Sequence, residues 1–508
     1  QALDRGDVKE AEGWCKKVLQ TNPNVPQAHF LIGLIAVSMD EKRIAANVFL
    51  KVTKLDSKHA GAWAHLAKIF SELGFTVRAD EAIAKAAALK PNHALVQNVI
   101  GSVYTQIGEH EKASTWYSQA YQSEPNNPAY ATNLANAYNF TGKRREAKET
   151  IEALLKISPN NPQAHWIGAG LHRQTSDETA NTMLKIANEF SGNDSAQAFL
   201  YYGAGKVFED VENWDAAFEV FHKGAKAKRQ TLDFDEIAEE RLFETLHDTF
   251  DDQWLANVSA ASDVQGGPIF IVGQPRTGTT LIERIITAHS KVTSAGELQQ
   301  FYLSMRRLSQ VQTPSRVNDE LIKGAAKIDP SVLGKAYLHG TRSFGEKGVY
   351  FVDKMPVNYL YVPLIARALP NAKIIHVTRD PADSCFSSFK QLFAQAYPHS
   401  YNLEEMARHH VRYRKLMQQW RDVVGGRMLE VSYEETVVDL ESNARRLIEF
   451  LGLEWEQACL DFHKQSGAVS TASASQVREP AHTRSVGRWK RYEDQLKPVI
   501  EILKNAGL

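Results

Sequence analysis

Three scarcities narrow what this 508-residue chain can be. Cysteine is the first: Cys15, Cys385 and Cys459 are the only three, an odd number without metal-type spacing. That argues against a disulfide scaffold and suits a reducing, cytoplasmic compartment. The second is charge of one sign. Lys and Arg total 59 against 60 Asp and Glu, a net −1, so no global field recruits nucleic acid or an anionic membrane. The third is apolar run length, since no stretch approaches the ~18 residues that a membrane span needs. Gln1 reads as the interior of a helix, which implies residues upstream and leaves room for a lost export signal. The length suits two or three domains and a sizeable core.

What is abundant is repetition. Ala11, Ala45, Ala79, Ala113 and Ala147 each lie 34 positions from the next. Gly33, Ala67, Gly101, Ala135 and Ala169 hold a second phase, always small. Gly6, Gly74, Gly108 and Gly142 hold a third, with Asp40 as the exception, and Pro23, Pro91, Pro125 and Pro159 close each unit, with Ser57 standing in once. Small residues let two antiparallel helices cross closely, and proline stops the second helix before the next pair. Period and residue types match the tetratricopeptide repeat. That resemblance implies an all-α superhelical solenoid with a concave interaction surface. A rigid spacer or dimerisation arm is the plainer alternative, and an oligomer is compatible with either. The strict pattern fades near residue 170; a related pair is expected at Leu200–Lys228, followed by helix to about Asp252 and a Ser/Ala/Gly linker at Ser259–Gly267. His29, His59, His93 and His165 fall near repeat starts without ligand spacing and read as packing residues.

The chemistry lies beyond Gly267. Ile269–Gly273 reads as a buried strand, a tight glycine-containing turn follows to Gly278, and Thr279-Thr280 opens a helix. Such a loop aims backbone N–H groups and a helix N-terminus at one spot, which favours an anion. The spacing imitates a Walker A loop, but the lysine expected after the second glycine is Thr279, and the cation is Arg276 inside the turn. A P-loop kinase or ATPase is therefore disfavoured. Strands at Ile269–Gly273, Val349–Asp353, Lys373–Thr378 and Met428–Tyr433 alternate with helices at Pro363–Leu369, Pro381–Phe393, Leu403–Val424 and Val438–Leu451. That alternation predicts a parallel, doubly wound α/β sheet with its ligand at the strands' carboxyl ends.

Further motifs follow those strand ends. Arg379 ends a strand, Asp380 can cap the next helix with Pro381 in its first turn, and Ser384, Ser387 and Ser388 share nearly one face. A bidentate cation beside hydroxyl donors suits a dianionic phosphate. Lys354, followed by Met355-Pro356, can neutralise charge near the first loop, or be a solvated strand-end lysine. Glu297 lies 21 residues beyond Arg276 (297 − 276), where a carboxylate can take a proton from an acceptor hydroxyl; a solvated loop carboxylate is the plainer alternative.

Pro275-Arg276-Thr277-Gly278-Thr279-Thr280 resembles the 5′-phosphosulfate loop of sulfotransferases, especially tyrosylprotein sulfotransferases. With it, Arg379 and Ser387 resemble the family's 3′-phosphate pair, and Asp353-Lys354-Met355-Pro356 the segment whose lysine stabilises the transferring group. Glu297 matches the family's glutamate base in spacing, and His289 ranks behind it because a similar family histidine is structural. Tyr433 resembles a nucleotide-contacting tyrosine. Ser473 lies in a hydroxyl-rich run, and Arg488 and Lys490 in Gly487-Arg-Trp-Lys490 resemble a loop covering the 3′-phosphate, although that loop's first glycine is replaced. Composition alone reads the stretch from Ser470 as a flexible linker; the resemblance makes it a lid over nucleotide.

The whole is similar to bacterial-type repeat-containing sulfotransferases, with tetratricopeptide repeats over 1–190, a further repeat-like pair and linker over 191–263, and a sulfotransferase domain over 264–508. The resemblance implies transfer of a sulfuryl group from 3′-phosphoadenosine 5′-phosphosulfate (PAPS) as cosubstrate to an acceptor hydroxyl, with 3′-phosphoadenosine 5′-phosphate (PAP) as product and no metal. A tyrosine of a peptide or protein held in the repeat groove is the first expectation. A glycan or small-molecule hydroxyl is the second and a non-enzymatic scaffold the third. The disulfide cysteines and membrane anchor of the secretory enzymes are lacking, which bears on the acceptor more than on the reaction.

Overall fold

The computed structural model describes residues 5–264, 267–313, 317–345, 350–465, 467–469, 471 and 476–508. The chain forms two compact units, Gln1–Thr141 and Gly142–Leu508. The reading of Gln1 as mid-helix falls outside the described residues; the first helix is Val8–Thr21.

In the first unit, eight helices run from Val8 to Phe140 among the described residues. The small-residue phase has the expected reason: a Cβ on Gly33 would stand 2.5 Å from the Phe49 ring, and one on Gly101 2.7 Å from Tyr117. The turn phase is left-handed, with Gly74 at φ 76° and Gly108 at φ 81°, and Asp40 adopts it at φ 57°. A second periodicity is carried by unlike residues. His29 Nε2, Trp63 Nε1 and Gln97 Nε2 each donate to the carbonyl six residues earlier, on Pro23, Ser57 and Pro91, at 2.8–2.9 Å. His165 repeats the bond to Pro159 in the second unit at 2.7 Å. Each donor satisfies a carbonyl left open where one repeat meets the next. His29 and His165 are thus bonded in the repeat framework.

The second unit opens with further helices, including Pro162–Leu171, Glu178–Glu189, Asp194–Asp210 and Trp214–Gln230, and then Glu236–Thr249 and Asp252–Asn257. A five-stranded parallel sheet follows: β1 Ile269–Gly273, β2 Val292–Ser294, β3 Tyr350–Asp353, β4 Lys373–Thr378 and β5 Met428–Ser432, in the order β2-β3-β1-β4-β5. β2 is absent from the sequence reading, its three residues being too few to show a pattern.

Both sheet faces are covered, so the central strands are mostly apolar, with His376 of β4 and Asp353 of β3 as buried polar exceptions. Phe270, Val272 and Ile374 pack with Phe301, Tyr337 and Trp420 on one face. Ile269, Ile271, Ile375 and Val377 pack with Ile282, Ile285 and Leu447 on the other. A third cluster joins repeat-like helices to the sheet domain, setting Tyr202, Phe208 and Phe221 with Phe386, Phe389 and Tyr492.

The stretch expected as a linker is packed where it is described. Ala261 and Val264 are buried in the first of these clusters, and the Ala261 amide donates to Arg367 O at 2.8 Å.

Candidate active site

The motifs of Arg276, Glu297, Lys354, Arg379 and Tyr433 each leave the carboxyl end of a parallel strand, so the sheet gathers residues far apart in sequence. After β1, Arg276 takes a left-handed φ of 67° and Gly278 one of 99°. This brings the loop back over the N-terminus of the Thr279–Thr287 helix. A Cβ on Gly278 would meet the Tyr433 ring at 2.6 Å, so glycine permits both the turn and the tyrosine beneath it. The Thr277 hydroxyl donates to Gln274 O at 2.8 Å and the Ser388 hydroxyl to Pro275 O at 3.2 Å, which fixes the loop from inside and from below.

Arg379, at the end of β4, joins the two phosphate-type motifs. Its Nη1 donates to Arg276 O at 2.9 Å and to Ser387 Oγ at 3.2 Å, and its guanidinium lies 5.0 Å from the Tyr433 ring centre. Its Nη2 donates to Ser485 O at 2.5 Å, tying in the C-terminal loop. That loop is anchored again by Asp383, whose carboxylate accepts from the Gly487 and Trp489 amides at 2.6 and 3.0 Å. Arg276 is pushed down to about 10 by burial together with the charges of Arg379 and Arg488. Arg379 Nε and Ser384 Oγ are buried without a hydrogen-bond partner among the described residues. Two neighbouring arginines, of which Arg379 also stands 3.7 Å from the buried Asp383, together with these two idle polar atoms fit an anionic phosphate better than a neutral ligand.

At the end of β3, Lys354 is 1% exposed. Its Nζ donates to Glu297 Oε1 at 2.5 Å and stands 3.9 Å from Glu283 Oε2. The two carboxylates differ. Glu297 is 40% exposed and open to solvent, whereas Glu283 is buried and accepts from Ser294 Oγ at 2.6 Å. Burial raises the Glu283 carboxyl against the pull of Lys354 and Ser294. Asp353 alongside is buried, takes a 2.9 Å bond from the Tyr337 hydroxyl, and is pushed up to about 8 by burial.

Other candidates lie elsewhere or differently. His289 is buried, with Nε2 donating to Glu454 O at 2.9 Å and Nδ1 accepting from the Lys291 amide at 3.1 Å, so both ring nitrogens are occupied. Arg488 turns inward to Glu209 at 3.3 Å, whereas Lys490 is exposed. Ser473 lies outside the described residues, as do residues 470, 472, 474 and 475 of the same run. Beside them, Thr471 Oγ1 meets Thr280 Oγ1 at 3.2 Å.

The sequence reading missed a buried group that backs the loop. Glu239 Oε1 accepts from His399 Nδ1 and His409 Nδ1 at 2.9 and 3.0 Å. The two imidazoles stack at 3.5 Å with their planes 14° apart. Both Nδ1 atoms converge on the one oxygen Glu239 Oε1, so the atoms that could hold a cation are engaged with one another. A hydrogen-bonded relay suits them better, because His409 Nε2 faces Gln274 Nε2 at 3.1 Å and the Tyr359 hydroxyl at 3.3 Å. The relay braces Gln274 within the phosphate-type loop. No sequence spacing links positions 239, 399 and 409.

Comparisons with known proteins find likenesses in both regions of the chain. Residues 268–457 match the family described as "Sulfotransferase family", and residues 104–166 match "Tetratricopeptide repeat". An uncharacterized protein of Aquifex aeolicus is 29% identical over 340 residues, covering 66% of this chain and 45% of that protein. A putative protein-tyrosine sulfotransferase of Caenorhabditis briggsae is 27% identical over 257 residues, 46% of this chain and 88% of that one. Among solved structures, a sulfotransferase domain from the curacin biosynthetic pathway aligns at 15% identity and a TM-score of 0.35, covering 48% of this chain and 98% of its own. The chain thus spans under half the length of the Aquifex relative.

Proposed function

We propose that this chain, in which tetratricopeptide repeats accompany a sulfotransferase-family domain, transfers a sulfuryl group from PAPS to an acceptor hydroxyl. The observation that carries the reading is the meeting, at adjacent strand ends, of the Arg276 loop, the bonded Arg379–Ser387 pair and the buried Lys354 beside an accessible Glu297.

In this reading Arg276, Thr277, Thr279, Thr280 and the loop amides hold the 5′-phosphosulfate, Tyr433 underpins the loop, and Arg379 with Ser387 takes the 3′-phosphate. Lys354 is held by Glu297 before the donor arrives. Sulfuryl oxygens that compete for its ammonium free the Glu297 carboxylate for the acceptor. The acceptor oxygen then bonds to sulfur as the bridging S–O bond breaks, its proton goes to Glu297, and PAP departs. Charge developing on the bridging oxygen is met by Lys354, by analogy with phosphoryl transfer.

The favoured acceptor is a peptide or protein tyrosine recruited by the repeats. The relatives named as protein-tyrosine sulfotransferases support it, as does the binding habit of repeat arrays. No helix among the described residues is long and apolar enough to cross a membrane. Calorimetry on the full chain tests the donor assignment. PAP is expected to bind at least about tenfold more tightly than 5′-AMP, because charge-assisted bonds are worth ~1.5–3 kcal/mol each. Equal affinity removes the assignment.

A further inference from the structure

The helix Asp194–Asp210 belongs by architecture to the repeats, yet it sends one carboxylate toward the nucleotide side of the sheet domain. Glu209 accepts from Lys390 Nζ through both oxygens, at 2.8 and 2.9 Å, from Arg488 Nη2 at 3.3 Å and from the Tyr492 hydroxyl at 2.9 Å. Its side chain is 10% exposed. These partners lie 181 to 283 residues away in sequence.

The two cations it holds border the candidate 3′-phosphate pocket. Lys390 is the residue after the Pro381–Phe389 helix, one turn beyond Ser387. Arg488 sits between Gly487 and Trp489, whose amides are pinned to Asp383 on that same helix. Burial, with Arg488 and Arg276 close by, pushes Lys390 down to about 8 while Glu209 opposes the shift. Burial works against the Glu209 charge too, but Lys390 and Arg488 hold its carboxyl below the usual range.

We infer that Glu209 is a positioning residue for donor recognition: a repeat helix, through this carboxylate, sets Lys390 and Arg488 as the outer wall of the 3′-phosphate pocket. The inference rests on the reading of the site as a PAPS pocket. It makes the helices just before the sheet domain a structural part of donor specificity, besides any part they have in acceptor capture. Without Glu209, Lys390 loses the partner that keeps it charged and Arg488 loses its anchor.

Charge and position predict opposite signs, which makes the inference testable. Glu209→Gln removes a negative charge, so a purely electrostatic role strengthens the binding of every anionic nucleotide. A positioning role weakens the bisphosphate selectively. Calorimetry of full-length wild type and Glu209→Gln with PAP and with 5′-AMP separates the cases. The expected result is a loss of about tenfold or more for PAP in the variant, with 5′-AMP little changed and Glu209→Asp intermediate. Unchanged or tighter PAP binding overturns the inference, and so does an equal loss for both nucleotides, which marks general damage. A wild type without any preference for PAP removes the underlying site reading as well, whereas a preference that persists in the variant removes the Glu209 role alone. Should Glu209→Gln fail to fold, Arg488→Gln leaves Glu209 bonded to Lys390 and Tyr492 and is expected to show the same selective loss. Retained selectivity there overturns the inference.

Discussion

The helices of the first unit and the repeat-like helices that open the second are built alike but packed differently. In the first unit, Ala45, Ala79 and Ala113 are fully buried against other repeat residues, in a core made of repeats alone. In the second, Tyr202, Phe208 and Phe221 share their core with Phe386, Phe389 and Tyr492 of the sheet domain. The Tyr202 hydroxyl donates to Phe389 O at 2.8 Å, and Trp214 stands edge-on to Tyr492 at 5.9 Å. A helix whose neighbours are copies of itself keeps the copy's sequence; one that faces a foreign surface is shaped by that surface. The strict period fades near residue 170 because the packing partner changes there, while the helical architecture continues.

Truncation is the most forceful way to break this comparison. Removing residues 1–141 takes away one compact unit and is expected to leave nucleotide affinity unchanged. Removing residues 1–230 strips the partners of Phe386, Phe389 and Tyr492 and is expected to abolish soluble folding. Circular dichroism and calorimetry read both. A well-folded, nucleotide-binding chain lacking residues 1–230 would show that the shared core is dispensable.

The site supplies the next largest effect. Glu297→Gln keeps shape but removes the proton acceptor, so turnover is expected to fall ~10²–10⁴-fold while PAP binding persists. Near-normal turnover sends the search for a base elsewhere, although not to His289, whose ring nitrogens are both engaged.

Paired core truncations sharpen the comparison further. Phe49→Ala in the first unit and Phe221→Ala in the second each empty a buried site. Each is expected to cost ~3–5 kcal/mol of stability by thermal or denaturant unfolding. Only Phe221→Ala is expected to weaken PAP binding, since only it borders the core shared with the Pro381–Phe389 helix. Equal nucleotide effects would erase the distinction. The smallest effect belongs to Tyr202→Phe, which leaves Phe389 O without its donor and is expected to cost ~1–3 kcal/mol.

How much of this was legible in sequence depended on whether the signal was local. β1 and β4 match the expected Ile269–Gly273 and Lys373–Thr378, because a central parallel strand is a short, mainly apolar run between turns, broken in β4 only by His376 among its four inner residues. Leu403–Val424 is also as expected, its start capped by Asn402, while Pro381–Phe393 ends early, at Phe389. The loop, Arg379 with Ser387, and Lys354 were visible because each motif is contiguous and follows a strand. Long-range chemistry was not. Glu209, Glu239 and Glu283 sit in helices with no local motif around them, and only the fold reveals that each is buried against cations or histidines. The carbonyl bonds of His29, Trp63, Gln97 and His165 escaped notice because the period lies in the bond and not in the residue type.

The central claim is the proposed sulfuryl transfer at the adjacent ends of β3, β1 and β4, which carry Lys354, Arg276 and Arg379. Its most direct test is incubation of the full chain with radiolabelled PAPS and a cell extract, beside an Arg276→Ala control. The account expects label to pass into tyrosine of a peptide or protein with the wild type and to be absent with the control. Label entering only glycans or small molecules would keep the reaction and replace the acceptor. Absence of any transfer by a folded, PAP-binding wild type would contradict the account.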